Sequence, residues 1–162
     1  MFDPKLEIGK IIDNPKLMEI FKCGQQGGMR RSKRTNTLVL ISDYTKGIYH
    51  DKWIGDTLHY TGMGLSGDQD IDYMQNRTLN ESNENNVDIH LFEVLDPKEY
   101  MYCGRVKLVG TPYTEMQIDR DGNKCTVWIF PIQPMHTHKV KKPTKYYYQN
   151  IEEYKAHYRG DV

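Results

Sequence analysis

The sequence predicts an α+β, β-rich domain, a mostly antiparallel sheet curled into a barrel or half-barrel with two or three helices at its periphery. Three observations carry this reading. Val87 to Leu95, Tyr100 to Val109 and Cys125 to Ile132 are apolar or alternating runs rich in β-branched and aromatic residues. The Asp-Pro, Gly-Thr-Pro and Arg-Asp-Gly-Asn signals between and beside them are turns of the kind that join neighbouring strands. The 162 residues contain no repeat, no low-complexity tract and no evident internal boundary, so one domain over 1–162, with a core that needs no disulfide or metal staple, is the expectation.

In chain order, Leu17, Ile20 and Phe21 recur at helical spacing within Pro15 to Cys23, and Gly24 ends that run. A glycine- and arginine-rich loop follows. Thr37 to Ser42 is a nearly continuous apolar run, as in a strand buried on both faces, and Thr57 to Thr61 is a second short strand, with an aromatic, polar connection between the two. Asp70 to Asn80 suits a helix with Ile71, Met74 and Leu79 on one side, broken by Asn83 to Asn86. After the three strands named above, Pro131, Pro134 and Pro143 lead irregularly to a helix-compatible segment, Ile151 to Tyr158.

Formal charge is zero, with 22 basic and 22 acidic residues, which removes any overall bias toward polyanions. The charges are nonetheless clustered. Arg30, Arg31, Lys33 and Arg34 lie together, Lys139, Lys141, Lys142 and Lys145 form a second group, and the middle of the chain is acidic. Either basic group serves as a solvated loop or as part of one basic face. No apolar run approaches the roughly 20 residues of a membrane span, and Met1 to Lys10 is too charged for a secretory signal, so a cytoplasmic protein with no membrane partner is expected. Cys23, Cys103 and Cys125 are too far apart for a zinc framework and suit reduced thiols.

Catalytic equipment is absent from the pattern. His136 and His138 stand two apart but lack a third ligand at a recognised spacing, and His50, His59 and His90 are scattered among strand residues. No nucleophile elbow, P-loop or zinc-protease helix occurs. The reading is a binding module without cofactor or metal, any chemistry belonging to another polypeptide or domain.

What the chain does offer is a place for something flat. His59-Tyr60-Thr61-Gly62-Met63-Gly64-Leu65-Ser66-Gly67 ends a strand on an aromatic ring and turns at once on three glycines, which let a ligand approach bare amides; a plain glycine hairpin is the alternative. Tyr44, Tyr49, Trp53 and Tyr60 cluster around it with Asp43, Asp51 and Asp56. A nucleobase asks for aromatic faces and an edge-reading group, and a carboxylate accepts from an exocyclic amine such as that of cytosine. Some of these rings equally suit the core.

The ordered runs Leu38 to Tyr44, Tyr49-His50-Asp51, Leu58 to Gly64, Gln75 to Leu79, Val87 to Val94, Pro112-Tyr113 with Gln117, and Val127 to Pro131 together resemble the SRA (SET- and RING-associated) domain. The likeness is greatest to the SRA-like modules of bacterial modification-dependent (type IV) restriction endonucleases. It covers 24–133, leaving 134–162 as an extension. It implies a PUA-like barrel that binds duplex DNA and rotates a modified cytosine, 5-methyl or 5-hydroxymethyl, into a pocket, as the targeting partner of a nuclease domain. The resemblance places the base between Tyr44 and Tyr60, with Tyr49 as an alternative wall and Trp53 nearby. It makes Asp51, nine residues before Tyr60, the edge reader. Thr61, Gly62 and Gly64 then complete the pocket, Arg30, Arg31, Lys33 and Arg34 meet phosphates, and Gln75, Asn76 and Arg77 enter a groove or fill the vacated space. Because PUA-like barrels also serve RNA, an RNA-binding module is the second reading, and a metabolite-binding or hydrolytic barrel using Asp51 or a histidine the third.

Overall fold

A computed structural model of the chain describes residues 1–46, 48, 49 and 51–135. His136, His138, the lysine group at 139–145 and the expected helix Ile151 to Tyr158 lie outside the described residues, as does His50. The elements in chain order are β1 (Ile11–Ile12), α1 (Asn14–Phe21), β2 (Met29–Ser32), β3 (Thr37–Asp43), β4 (Lys52–Ile54), β5 (Thr57–Thr61), α2 (Gln75–Asn80), β6 (Asp88–Asp96), β7 (Glu99–Leu108), β8 (Tyr113–Ile118) and β9 (Lys124–Pro134).

All nine strands belong to one sheet, ordered β2-β3-β6-β7-β9-β5-β4, with β1 beside β7 and β8 beside β9. The terminal strands β2 and β4 do not pair with each other, so the curl stays open along one seam. Every pairing is antiparallel except β3 with β6, which run parallel from Thr37↔Asp88 to Asp43↔Val94. That pair explains the unbroken apolar run in β3. Leu38 and Leu40 pack inside the curl with Trp53, Leu58, Leu91 and Phe130, while Val39 and Ile41 face outward onto a second cluster with Leu17, Phe21, Phe92 and Tyr102. A strand covered on both faces has no polar side to show.

Helix α1 follows its sequence signals at the start: Asp13 accepts from the Lys16 amide at 2.9 Å, and Pro15 occupies the first turn. Its stop comes two residues earlier than Gly24, because Lys22 itself adopts the left-handed conformation at φ 55°. Helix α2 is shorter than the expected Asp70 to Asn80, since Asp70 to Met74 form an irregular turn closed by the Tyr73 amide donating to the Asp70 carbonyl at 3.1 Å. Strand β2 was unexpected where the sequence reads as a glycine- and arginine-rich loop. Arg31 pays no isolation cost there, because its guanidinium donates to the carbonyls of Ser32 and Thr37 and to Asn36 Oδ1, bracing the β2–β3 hairpin. No helix among the described residues is long and apolar enough to cross a membrane.

Candidate nucleic-acid interface

The seam between the unpaired sheet ends holds a cavity of about 490 Å³. On one side stand the Gln25 to Arg30 segment and the end of β3; on the other stand Tyr49, Asp51 and the run Tyr60 to Leu65. Tyr60 is 3% exposed and bridges the seam: its hydroxyl lies 2.6 Å from the Gly28 carbonyl and 3.1 Å from that of Ile41, both of which accept from it. Glycine at 28 leaves room for this contact, since a Cβ there would stand 3.1 Å from that hydroxyl and press it back by a few tenths of an ångström. Burial, then the neighbouring Asp51 charge, holds the Tyr60 phenol well above its usual range, so it stays a neutral donor.

Asp51 turns its carboxylate inward. Oδ2 accepts from the Ser42 hydroxyl and Oδ1 from the Thr61 amide, each at 2.7 Å. Burial pushes its pKa up to about 6, although the hydrogen bonds from Ser42 and Thr61 pull the other way. Each oxygen keeps a further lone pair for a ligand. Tyr49 is fixed by its hydroxyl, which donates to the Gly64 carbonyl at 2.5 Å, and its ring packs against Cys125, Val127 and Ile129.

The glycine turn is a rigid wall. Gln69 donates from Nε2 to the Gly62 carbonyl at 2.7 Å and accepts the Trp128 amide on Oε1 at 2.8 Å. Asn76 accepts the Met63 amide at 2.6 Å and donates to the carbonyls of Met63 and Asp70, both at 3.0 Å. Gly64 sits at φ +125°, which L side chains rarely adopt, and a Cβ on Gly62 would come within 2.8 Å of Asn76 Oδ1.

The structure redistributes the expected residues. Tyr49, Asp51, Tyr60, Thr61, Gly62 and Gly64 all line the cavity. Tyr44 does not: its hydroxyl donates to Glu93 at 3.0 Å and its ring packs on the core, whereas Tyr49 and Tyr100 line the cavity with Tyr60. Trp53 is a core residue, 2% exposed, donating from its indole to the same Glu93 oxygen at 3.1 Å.

Among the basic residues, Arg30 borders the cavity, but its guanidinium is committed inward to the Gly27 and Gly24 carbonyls and Asn14 Oδ1, over the Tyr100 ring. Arg31 braces the hairpin. Lys33 and Arg34 are exposed at the hairpin tip, beyond the Ser32↔Thr37 pair and so at the end of β2 away from the cavity. In the Gln75 group, Asn76 is fully buried as the turn's clamp, Gln75 accepts from the Thr78 hydroxyl at 2.7 Å, and exposed Arg77 pairs with Glu81 at 3.3 Å. None of these three is among the residues lining the cavity.

What sequence reasoning passed over is the loop opposite. Gln25 and Gln26 are exposed at the cavity mouth, on a backbone held from below by Asn14 and Arg30, and Lys46 adds a cation on the same rim. The Gly27-Gly28 pair was the available signal. Ser42, Gln69 and Glu93 were also missed, since a polar residue inside an apolar strand or a loop carries no mark of its partner.

The family model described as "ScoMcrA-like, SRA domain" matches residues 8–156. Among solved structures, the chain is similar to the sulfur binding domain and SRA domain of ScoMcrA complexed with phosphorothioated DNA, with a TM-score of 0.67 and 18% identity over 80% of this chain and 40% of that one. The type IV phosphorothioation-dependent restriction endonuclease ScoMcrA gives the same TM-score, and the chain spans 24% of its length. The SUVH5 SRA complex with fully methylated CG DNA matches at a TM-score of 0.59 and 22% identity, over 86% of this chain and 96% of that one. At these identities the likeness shows a shared fold. No curated protein matches the chain.

Proposed function

From the premise that this chain belongs to the ScoMcrA-like SRA domains, we propose that it binds duplex DNA and draws a modified cytosine, 5-methyl or 5-hydroxymethyl, out of the helix into the seam cavity. The observation that carries the reading is the juxtaposition of two tyrosines and one inward carboxylate around a single space, with Tyr49 and Tyr60 as rings and Asp51, just before β4, held beside Tyr60 by the Thr61 amide. Extracting a paired base costs a few kcal/mol, and stacking returns about 1–3 kcal/mol per base. Two aromatic walls and an edge reader therefore offset the extraction. Asp51 accepts from the cytosine amine through the lone pairs that Ser42 and Thr61 leave free. The rigid Gly62 to Gly64 backbone bounds the base without adjusting to it.

Lys46 supplies charge at the mouth, and the exposed amides of Gln25 and Gln26 face the duplex. A 5-methyl group adds only about 0.8 kcal/mol by burial, so preference over plain cytosine is moderate unless the cavity wall fits the substituent closely. The domain acts as the cytoplasmic targeting half of a modification-dependent restriction system and does not itself cut. Titration of matched duplexes carrying cytosine, 5-methylcytosine or 5-hydroxymethylcytosine tests this, with 2-aminopurine opposite or beside the target reporting base extrusion. One modified duplex should bind tighter, and Tyr60→Ala should abolish the difference. Equal binding of all three, or tighter binding of single-stranded RNA, would reject the reading.

A further inference from the structure

Glu93 is fully buried on β6, beside Ser42 of β3 in the parallel register. Its Oε2 accepts from the Tyr44 hydroxyl at 3.0 Å and the Trp53 indole at 3.1 Å, and its Oε1 accepts from the Cys103 thiol at 3.3 Å. Tyr44 and Trp53 bracket the segment that carries Tyr49 and Asp51 into the cavity. One carboxylate oxygen thus holds both ends of that segment, while Ser42, its register neighbour, holds Asp51 itself at 2.7 Å. Burying a carboxylate is costly, and an apolar side chain of similar size would suit the surrounding core of Leu40, Leu91, Leu95 and Met101 better on stability grounds alone.

We propose that Glu93 is the positioning residue of the base-reading segment: by gripping Tyr44 and Trp53 it sets where Tyr49 and Asp51 stand in the cavity. This rests on the cavity's reading as a nucleobase site. Among the described residues, the ionisable groups near Asp51 are Glu93 on β6, Tyr44 after β3 and Tyr60 on β5, with Arg30, Asp43 and Lys46 around the cavity. Burial is the main cause of Asp51's raised proton affinity, and the Glu93 charge adds to it, so the two carboxylates feel each other.

The test compares Glu93→Ala with Glu93→Gln. Alanine releases both donors, and the preference for the modified duplex should collapse to about onefold, with affinity for unmodified duplex little changed. Glutamine keeps an oxygen for Tyr44 and Trp53 and should restore most of the preference. In both variants loss of the Glu93 charge should move the Asp51 titration midpoint down, so the positioning role is read from the difference between them: glutamine loses the charge but keeps the grip on Tyr44 and Trp53, and a purely structural role would not let it restore the preference. A folded Glu93→Ala protein with preference intact would overturn the assignment. Should Glu93→Ala not fold, the Tyr44→Phe/Trp53→Phe double variant removes the two donors while keeping Glu93, and undiminished preference there overturns it equally. A wild-type protein that shows no preference refutes the proposed function instead, and NMR contacts of the Tyr49 ring and the Asp51 side chain, displaced in Glu93→Ala but kept in Glu93→Gln, then decide the positioning role.

Discussion

Replacing Asn76 with alanine separates a clamp from a DNA contact. The side chain is fully buried and makes two hydrogen bonds to Met63 of the glycine turn, accepting its amide at 2.6 Å and donating to its carbonyl at 3.0 Å, and a third to the Asp70 carbonyl at 3.0 Å. The two bonds it donates contribute about 1 kcal/mol net each, and leaving the part-buried Met63 amide without an acceptor costs roughly 1–3 kcal/mol, so Asn76→Ala should lose about 3–5 kcal/mol. For a chain of this size that corresponds to a fall in melting temperature of about 10 °C. Urea unfolding followed by tryptophan fluorescence measures the loss, with an unchanged slope showing that the native state stays compact. Asn76→Asp should be about as harmful, because a carboxylate would face the two carbonyls. Arg77→Ala serves as the control: its pair with Glu81 is solvent-exposed, at 64% and 46%, and contributes under about 1 kcal/mol. An Asn76→Ala protein within about 1 kcal/mol of wild type but impaired in DNA binding would refute the clamp.

Three further outcomes follow from the same coordinates. Gly62→Ala puts a Cβ within 3.1 Å of Asn76, Gln69 and Phe130 atoms, and should cost about 1–3 kcal/mol in thermal or chemical denaturation through overpacking. Asp51 carries a pKa raised from 3.8 to about 6, so the folded state holds its proton more tightly than the unfolded chain does; the resulting stability is full below about pH 4 and lost as pH rises through about 6. Asp51→Asn does not titrate, so wild-type stability measured against this variant should decline by up to about 3 kcal/mol from about pH 4 to about pH 7, and a flat difference would contradict the burial. Lys33→Ala and Arg34→Ala sit at the far hairpin tip, and gel-shift or anisotropy titrations should show modified-duplex preference unchanged in both.

Much of the sheet was legible because β3, β5, β6, β7 and β9 carry continuous or alternating apolar runs bounded by turn signals, and those boundaries hold to within about two residues. Strands β2 and β8 escaped because their residues are largely polar or charged, and β1 and β4 because two or three residues are too few to show a period, although β2, β4 and β8 each pair with the next strand in the chain. Asp51, Tyr60 and the glycine turn were visible as a strand end meeting glycines. The choice between Tyr44 and Tyr49 was not, since it depends on Glu93, 49 residues from Tyr44, offering the former a buried acceptor. Asn76 shows the same limit: an amide in a polar helix reads as a surface group until the turn it clamps is known.

The seam is closed by side chains where a sealed barrel would be closed by a ladder of main-chain bonds. Its width is therefore set by the bridging Tyr60 phenol and the serine-held Asp51 carboxylate, each replaceable singly, so the aperture can be widened or narrowed one codon at a time. A lineage can retune what passes through that aperture while every strand pairing of the scaffold stays as it was.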